Sequence, residues 1–184
     1  MLKWGGYKYL VYKTGRNVRL INKAEYCKSI IADGKELITG NESGKLVVPE
    51  LKDGNVFIIF KYDVTSFKDA FEQCNFLTTI PDNLFADNPK AVNFDNVFGY
   101  CMSLTTIPDN LFDGNTEVTN FTGTFQSSDA LTGESPYTMI GDKKVHLYER
   151  SNYPEHFTTP IEYSNCFYGS DGLSDYAQIP SGWK

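Results

Sequence analysis

The sequence predicts a β-rich α+β protein in which a small β-rich module precedes a short solenoid of 27-residue units. Residues 74–88, CNFLTTIPDNLFADN, recur almost unchanged at 101–115 as CMSLTTIPDNLFDGN, one 27-residue step later. The segment 1–60 instead carries β-branched and aromatic runs separated by glycine-containing turns. Stacked units bury a continuous apolar core that one unit alone cannot form.

The β-rich module is predicted from three pairs of apolar runs. KYLVYKTGRNVRLI (8–21) and KLVVPELKDGNVFIIF (45–60) each predict two strands about a central glycine. SIIADGKELITG (29–40) contains an Asp-Gly pair, which is typical of a two-residue hairpin. The module is either a separate attachment domain or a cap on the solenoid, and the sequence leaves both alternatives open.

Each 27-residue unit is expected to contain one strand and one helical segment, because this length is within the range of leucine-rich repeats. L-T-x-I predicts the strand, which Pro81 and Pro108 end. D-N-L-F predicts the start of a helical turn, and V-x-x-F-x-x-x-F a return segment with phenylalanine on one helical face. The recurring phenylalanines, each expected in the core, are Phe67, Phe94, Phe121, Phe71, Phe98 and Phe125.

The repeat domain is expected to span residues 61–184, with a non-repeat interruption near 132–162. Within the interruption, VHLYER (145–150) predicts a strand. The pattern partly returns near Phe167, and the final PSGWK predicts a terminal cap, since end units must cover the open face of a core.

Composition argues against several classes of protein. The net charge of −6 and pI of about 4.9 disfavour a nucleic-acid partner. The N-terminal segment lacks the unbroken apolar run of a signal peptide, and no stretch is long enough to insert into a membrane. The four cysteines form no C-x-x-C pair and the two histidines are not at ligand spacing to them, so we expect no metal and no cofactor.

A catalytic role is not expected, because no nucleotide-binding, zinc-protease or serine-hydrolase motif is present. His146 falls in a predicted strand, and His156 beside Glu155 lacks a nucleophile. Cys74 and Cys101 are interpreted as stacked buried thiols, with a disulfide left open. The acidic residues that flank the repeated turns are interpreted as capping groups, the alternative being a carboxylate pair for glycoside hydrolysis; they are Asp82, Asp87, Asp109 and Asp113.

The candidate binding residues are Thr78, Thr79, Thr105 and Thr106, with Tyr100 nearby. Because the threonines recur with the repeat, stacking of the units would place them in a flat polar face. Flat, rigid faces suit recognition of a protein or glycan surface. The alternative is that threonine is used here only as a good strand former.

The unit F-x-x-C-x-x-L-T-x-I-P-x-x-L-F, with V-x-N-F-x-x-x-F, resembles the BspA-like leucine-rich repeats of bacterial surface proteins. Such repeats are abundant in gut Bacteroidetes, and similar sequences occur in phages of those bacteria. The resemblance covers residues 60–131, and the segment 145–183 is similar to the end of the family's arrays. It implies a non-catalytic binding or display module.

From this resemblance we expect a virion protein of a Bacteroidetes phage, a tail or head fibre-like module that recognises a bacterial surface glycan or protein. The chain begins with Met1 and has a short array without a leader or anchor, which fits a virion component better than a typical adhesin. Its expected partners are other virion or surface proteins, and the sequence is also compatible with a homo-oligomer. The alternatives are a fragment of a bacterial cell-surface adhesin, located outside the cell, and a glycan-active enzyme.

Overall fold

A computed structural model describes residues 6–38 and 44–184 of the chain. Across these ranges the regular structure is almost entirely β. The strands are β1 (Lys8–Tyr12), β2 (Gly15–Ile21), β3 (Cys27–Ala32), β4 (Lys35–Ile38), β5 (Leu46–Leu51), β6 (Asn55–Phe60), β7 (Leu77–Thr79), β8 (Tyr137–Ile140) and β9 (Lys143–His146). The helical segments in the same ranges are short 3-10 helices at Ala24–Tyr26, Leu147–Asn152 and Ser181–Trp183.

The strands predicted in the N-terminal module are confirmed. β3 and β4 form the expected hairpin, whose turn residues Asp33 and Gly34 have φ of 48° and 71°. Two consecutive left-handed residues are what a two-residue turn of this kind requires. Residues 39 and 40 of the predicted hairpin segment, and residues 1–5 of the N-terminal segment, lie outside the described residues.

The pairing of the other strands is not between sequence neighbours. β1 pairs with β6 and β7, while β2 pairs with β5, all antiparallel. The larger sheet has the order β4-β3-β6-β1-β7, and β2 and β5 form a separate ribbon. Since β7 lies beyond residue 60, the larger sheet continues into the repeats, and the boundary expected at 60 and 61 stays a prediction.

The 27-residue units stack in register. Parallel bridges join Ser66 to Asn93, Asn93 to Asn120, and Asn120 to Glu162. In the first pair of units, the N–H groups of alternate residues donate to carbonyls of the next unit: Phe67 to Asn93 (2.8 Å), Asp69 to Asp95 (2.9 Å), Phe71 to Val97 (2.9 Å) and Gln73 to Gly99 (2.8 Å). The same four rows recur between the following units.

The prediction of a leucine-rich-repeat-like solenoid is nevertheless wrong, and so is the α+β class. The strand L-T-x-I forms only in the first unit, as β7, and residues 104–107 are not in a strand. The segments after Pro81 and Pro108, and the V-x-x-F-x-x-x-F segments, are runs of turns rather than helices. The units therefore stack without the strand-and-helix coil that defines such repeats. Only the β-rich part of the prediction is confirmed.

The turns replace a helix because left-handed residues recur at two positions of each unit. At the first, φ is 58° at Asp69, 52° at Asn96 and 57° at Gly123. At the second, four residues later, φ is 57° at Gln73, 60° at Tyr100 and 52° at Ser127. A right-handed helix needs consecutive residues at negative φ, so one left-handed residue in every four prevents it.

The recurring phenylalanines form two buried columns, as the period predicts. In one column the ring centroids are 5.4 Å apart for Phe71 and Phe98, 5.8 Å for Phe98 and Phe125, and 5.6 Å for Phe125 and Phe167. The interplanar angles in this column, between 10° and 16°, make the rings nearly parallel. Full burial of such rings stabilises the fold by about 1.5–3 kcal/mol for each side chain.

The interruption near 132–162 contains the β8–β9 hairpin. The strand predicted at 145–150 is only partly confirmed, because β9 ends at His146 and the 3-10 helix Leu147–Asn152 follows. In the final unit, Trp183 stacks on Tyr163 with centroids 4.7 Å apart, and its carbonyl accepts from the N–H of Phe167 at 2.8 Å. The C-terminal segment thereby covers the end of the stack.

The glycine at the first left-handed position gives a direct test of the close contact between units. A Cβ at Gly123 would overlap Oδ1 of Asn96, whereas a Cβ at Gly141, in the hairpin turn, would meet nothing within 4 Å. The two glycines have nearly the same φ, 57° and 59°. We expect Gly141→Ala to cost about 1 kcal/mol of unfolding free energy, from the left-handed conformation alone. Gly123→Ala should cost roughly 2–3 kcal/mol, because the Asn96 side chain must also move; urea denaturation measures both losses, and equal values would show that this side chain gives way at no cost.

The cysteines are free and buried at all four positions: Cys27, Cys74, Cys101 and Cys166. Burial raises the pKa of Cys101 to about 12, and its thiol lies 3.1 Å from the carbonyl oxygen of Phe71. Because the thiolate is the reactive form, we expect no thiol of the native protein to react with a chromogenic disulfide reagent at pH 8. Denaturation should release four reactive thiols, and a yield of two would reveal a disulfide between stacked cysteines.

Candidate functional site

The predicted threonines lie in successive units, joined through their backbones. The N–H of Thr105 donates to the carbonyl of Thr78 at 3.3 Å, and the N–H of Thr132 donates to that of Thr105 at 2.8 Å. The hydroxyls of Thr105 and Thr132 donate to the same carbonyls. We call Thr78, Thr79, Thr105, Thr106 and Thr132 the threonine row.

Two hydroxyls of the threonine row are available to a ligand. Thr79 and Thr106 are exposed, and their side chains have no hydrogen-bond partner among the described residues. In contrast, the hydroxyl of Thr78 donates to the carbonyl of Val11 in β1 at 3.0 Å. The hydroxyls of Thr78, Thr105 and Thr132 bond to backbone carbonyls and hold the row in place. Thr79 and Thr106 lie one unit apart, and each of their hydroxyls can donate to a ligand or accept from it.

Tyr100 does not belong to the threonine row. It occupies a left-handed turn position, and its N–H donates to the carbonyl of Gln126 at 2.7 Å in a different backbone ladder. A different aromatic residue, Tyr137 in β8, is bonded to the turn that follows Thr106. Its N–H donates to the carbonyl of Asp109 at 2.9 Å, and its hydroxyl to the Asp109 carboxylate at 2.7 Å. Sequence reasoning missed Tyr137 because it lies in the interruption, outside the period.

Charged groups surround the Tyr137 ring. Lys144 lies 4.3 Å from the ring centroid and forms an ion pair of 2.5 Å with Glu134. The hydrogen bond to Asp109 raises the pKa of Tyr137, and the hydrogen bond to Glu134 raises the pKa of Lys144. These contacts fix the orientation of a half-buried aromatic ring beside Asp109, three residues after Thr106.

His146, at the end of β9, has carboxylates at both ring nitrogens. Its Nδ1 lies 3.0 Å from Glu149, and its Nε2 lies 3.1 Å from Glu134 and 3.6 Å from Asp175. The Tyr148 ring stacks on the imidazole with centroids 5.1 Å apart. Each ring nitrogen therefore faces a carboxylate oxygen within hydrogen-bond distance.

The His146 cluster does not form a catalytic triad. Asp175 accepts hydrogen bonds from the N–H of Ser135 at 2.9 Å and from its hydroxyl at 2.5 Å. A triad needs the serine hydroxyl on the imidazole rather than on the carboxylate. The cluster instead ties the β8–β9 hairpin to the final unit, which contains Asp175. Burial and the charge of Asp175 raise the pKa of the neighbouring Tyr148.

Three of the acidic residues that flank the repeated turns have individual partners. Asp87 forms an ion pair with Lys8 at 3.2 Å, and Asp113 accepts from the hydroxyl of Thr138 at 2.6 Å. Asp109 is the acceptor for Tyr137 described above. Within residues 6–38 and 44–184, no group of three or more His, Cys, Asp or Glu side chains is placed to hold a metal ion.

Comparison with known protein families, curated proteins and solved structures found no match to this chain. None of the helices in the described ranges has the length and apolar character needed to cross a membrane. The function is therefore argued from the surfaces themselves.

His146 and His156 provide a matched test of the His146 cluster. Phenylalanine at 146 keeps the ring stacking on Tyr148 but removes both nitrogens, so Glu134 and Glu149 each lose the imidazole as a partner. We expect His146→Phe to lower the unfolding free energy by roughly 2 kcal/mol. The same substitution at His156, whose side chain is 47% exposed, should change it by less than about 0.5 kcal/mol. Urea denaturation at pH 6 measures both, and equal effects would mean that the cluster does not anchor the hairpin.

Proposed function

We propose that this protein is a non-catalytic binding module that recognises a glycan or protein on a bacterial surface through the threonine row. The observation that carries the proposal is the backbone ladder from Thr78 through Thr105 to Thr132. This ladder sets the exposed Thr79 and Thr106 hydroxyls at a fixed separation in advance of binding. A surface ordered beforehand loses little conformational entropy when a ligand docks.

The turn that follows Thr106 adds a second feature suited to recognition. Tyr137, held by Asp109 and Lys144, presents an aromatic ring beside polar groups. Tyrosine supplies contact area at low entropic cost, because its side chain has few rotatable bonds. A polar row flanked by a fixed ring suits a glycan or the polar surface of a protein.

The setting that we propose is the particle of a Bacteroidetes phage, in which the protein is a tail or head fibre-like component. The likeness of the repeat motif to sequences of bacterial surface proteins and their phages supports this setting. In such a particle, the N-terminal module would attach to other virion proteins and the repeats would face the host cell.

The threonine row is tested by changing Thr79 and Thr106 to lysine together. The long charged side chains would cover the free hydroxyls, so binding of the fluorescently labelled full chain to intact Bacteroidetes cells should fall by about tenfold or more. A control variant, Ser151→Lys with Thr159→Lys, adds the same charge at exposed positions outside the row. Its binding should equal that of the unchanged protein, as measured by flow cytometry.

Two outcomes would contradict the proposal. A folded row variant that binds cells as well as the control removes the row from recognition. Cell binding without retention on purified phage particles would contradict the virion setting and favour a bacterial adhesin.

A further inference from the structure

A cleft of about 280 Å³ lies beside the β8–β9 hairpin, apart from the threonine row. Asp113 and Thr116, which follow the second repeated turn, line it opposite Met139 and Ile140 of β8. Small-molecule sites usually occupy roughly 300–1,000 Å³. The cleft is therefore slightly smaller than that range and suits a ligand the size of one ring.

The wall formed by β8 carries free backbone groups. In a hairpin with a two-residue turn, alternate residues direct their N–H and C=O away from the partner strand. The N–H of Tyr137 follows this rule by donating to the carbonyl of Asp109 rather than to β9. Met139, two residues later, directs its N–H and C=O to the same side, where it lines the cleft and has no protein partner among the described residues.

Polar side chains complete the cleft. One oxygen of Asp113 accepts from the Thr138 hydroxyl, and the other has no partner among the described residues. Thr116 is exposed with a free hydroxyl, and the half-exposed imidazole of His156 lies at the rim. The cleft thus offers a carboxylate oxygen, a hydroxyl and a backbone N–H that have no partner within residues 6–38 and 44–184.

An apolar floor accompanies these groups. Met139 is 52% exposed and contributes a large apolar side chain to the lining. Ile140 and Phe157 extend the apolar lining. A ligand for this cleft therefore needs one apolar surface and several hydroxyl or amide groups.

A buried arginine offsets the charge of the cleft. Arg150 is 1% exposed and donates to the carbonyls of Phe112 and Asn115, at 3.0 and 2.9 Å. Its guanidinium lies 4.4 Å from the ring centroid of Phe157. Burial lowers the pKa of Arg150 to about 10, and the charge of Asp113 opposes that shift. At neutral pH the arginine is charged, so it compensates Asp113 and favours a neutral ligand over a cation.

We propose that this cleft binds a single neutral sugar residue. The C–H face of a sugar ring would lie on Met139 and Ile140, and its hydroxyls would bond to Asp113, Thr116 and the N–H of Met139. This proposal rests on the proposed function, since it assigns a glycan as the target and gives it a second point of contact. Two separate contacts on one chain raise the affinity for a polymer that reaches both.

The test is a titration of the ¹⁵N-labelled full chain with neutral monosaccharides, namely glucose, galactose, mannose, fucose and N-acetylglucosamine, followed by NMR. At least one sugar should shift the amide signals of Met139, Gly141 and Thr116. Asp113→Asn keeps an acceptor for Thr138 but removes the carboxylate, and should weaken this binding roughly tenfold. Met139→Ala should weaken it similarly, while Met102→Ala, at an equally exposed methionine (54%), should leave it unchanged.

The outcomes separate this proposal from the function on which it rests. Cell binding that depends on the threonine row, with no sugar shifting the cleft signals, would overturn the sugar site alone. Sugar binding at the cleft by a protein that binds no cells would support the site and overturn the proposed function. Shifts that are unchanged in both cleft variants, or that arise only with an amine such as putrescine, would overturn the sugar site.

Discussion

The structure depends on hydrogen bonds that backbone N–H groups in the turns of each unit donate to carbonyls of the next unit. Within a run of turns, alternate N–H groups bond to a carbonyl three residues earlier, as Ala70 does to Phe67, while the N–H groups between them find carbonyls only in the following unit. The phenylalanine columns hold the units at the spacing that these bonds require, with Phe71, Phe98 and Phe125 nearly parallel. Neither the ladder nor the column would be complete within one unit, so order in one unit depends on its neighbours.

The period made part of this fold predictable from sequence. The 27-residue step, which repeats phenylalanine, cysteine and leucine, predicts stacking and burial, and all the recurring phenylalanines are buried. The choice between helix and turn was not predictable from the same pattern, because F-x-x-x-F suits one helical face as well as a column. What decides it is the left-handed conformation of Asp69, Gln73 and Tyr100. Gln73 and Tyr100 gave no signal of it, whereas the first position carries Asp69, Asn96 and Gly123, residue types that adopt positive φ more readily than most.

The candidate binding surfaces were also only partly predictable from the sequence. The threonines of the row follow from the period, whereas Tyr100, expected near them because it is close in sequence, lies in a turn of another ladder. Tyr137, Met139 and Arg150 come from the interruption, where no repeat fixes the register. Their placement against Asp109 and Asp113 depends on contacts between segments that are far apart in the chain. Such contacts leave no periodic trace in a single sequence.

The in-register stacking also makes the units interchangeable at their junctions. Each internal unit accepts hydrogen bonds from the unit before it and donates to the unit after it, at equivalent positions. Duplication or loss of one whole unit would therefore join surfaces that already fit, leaving the N-terminal sheet and the Trp183 cap unchanged. Evolution can thus change the distance between the N-terminal sheet and the C-terminal cap by whole units. The number of threonines between them changes in the same steps, and the packing of the core is kept.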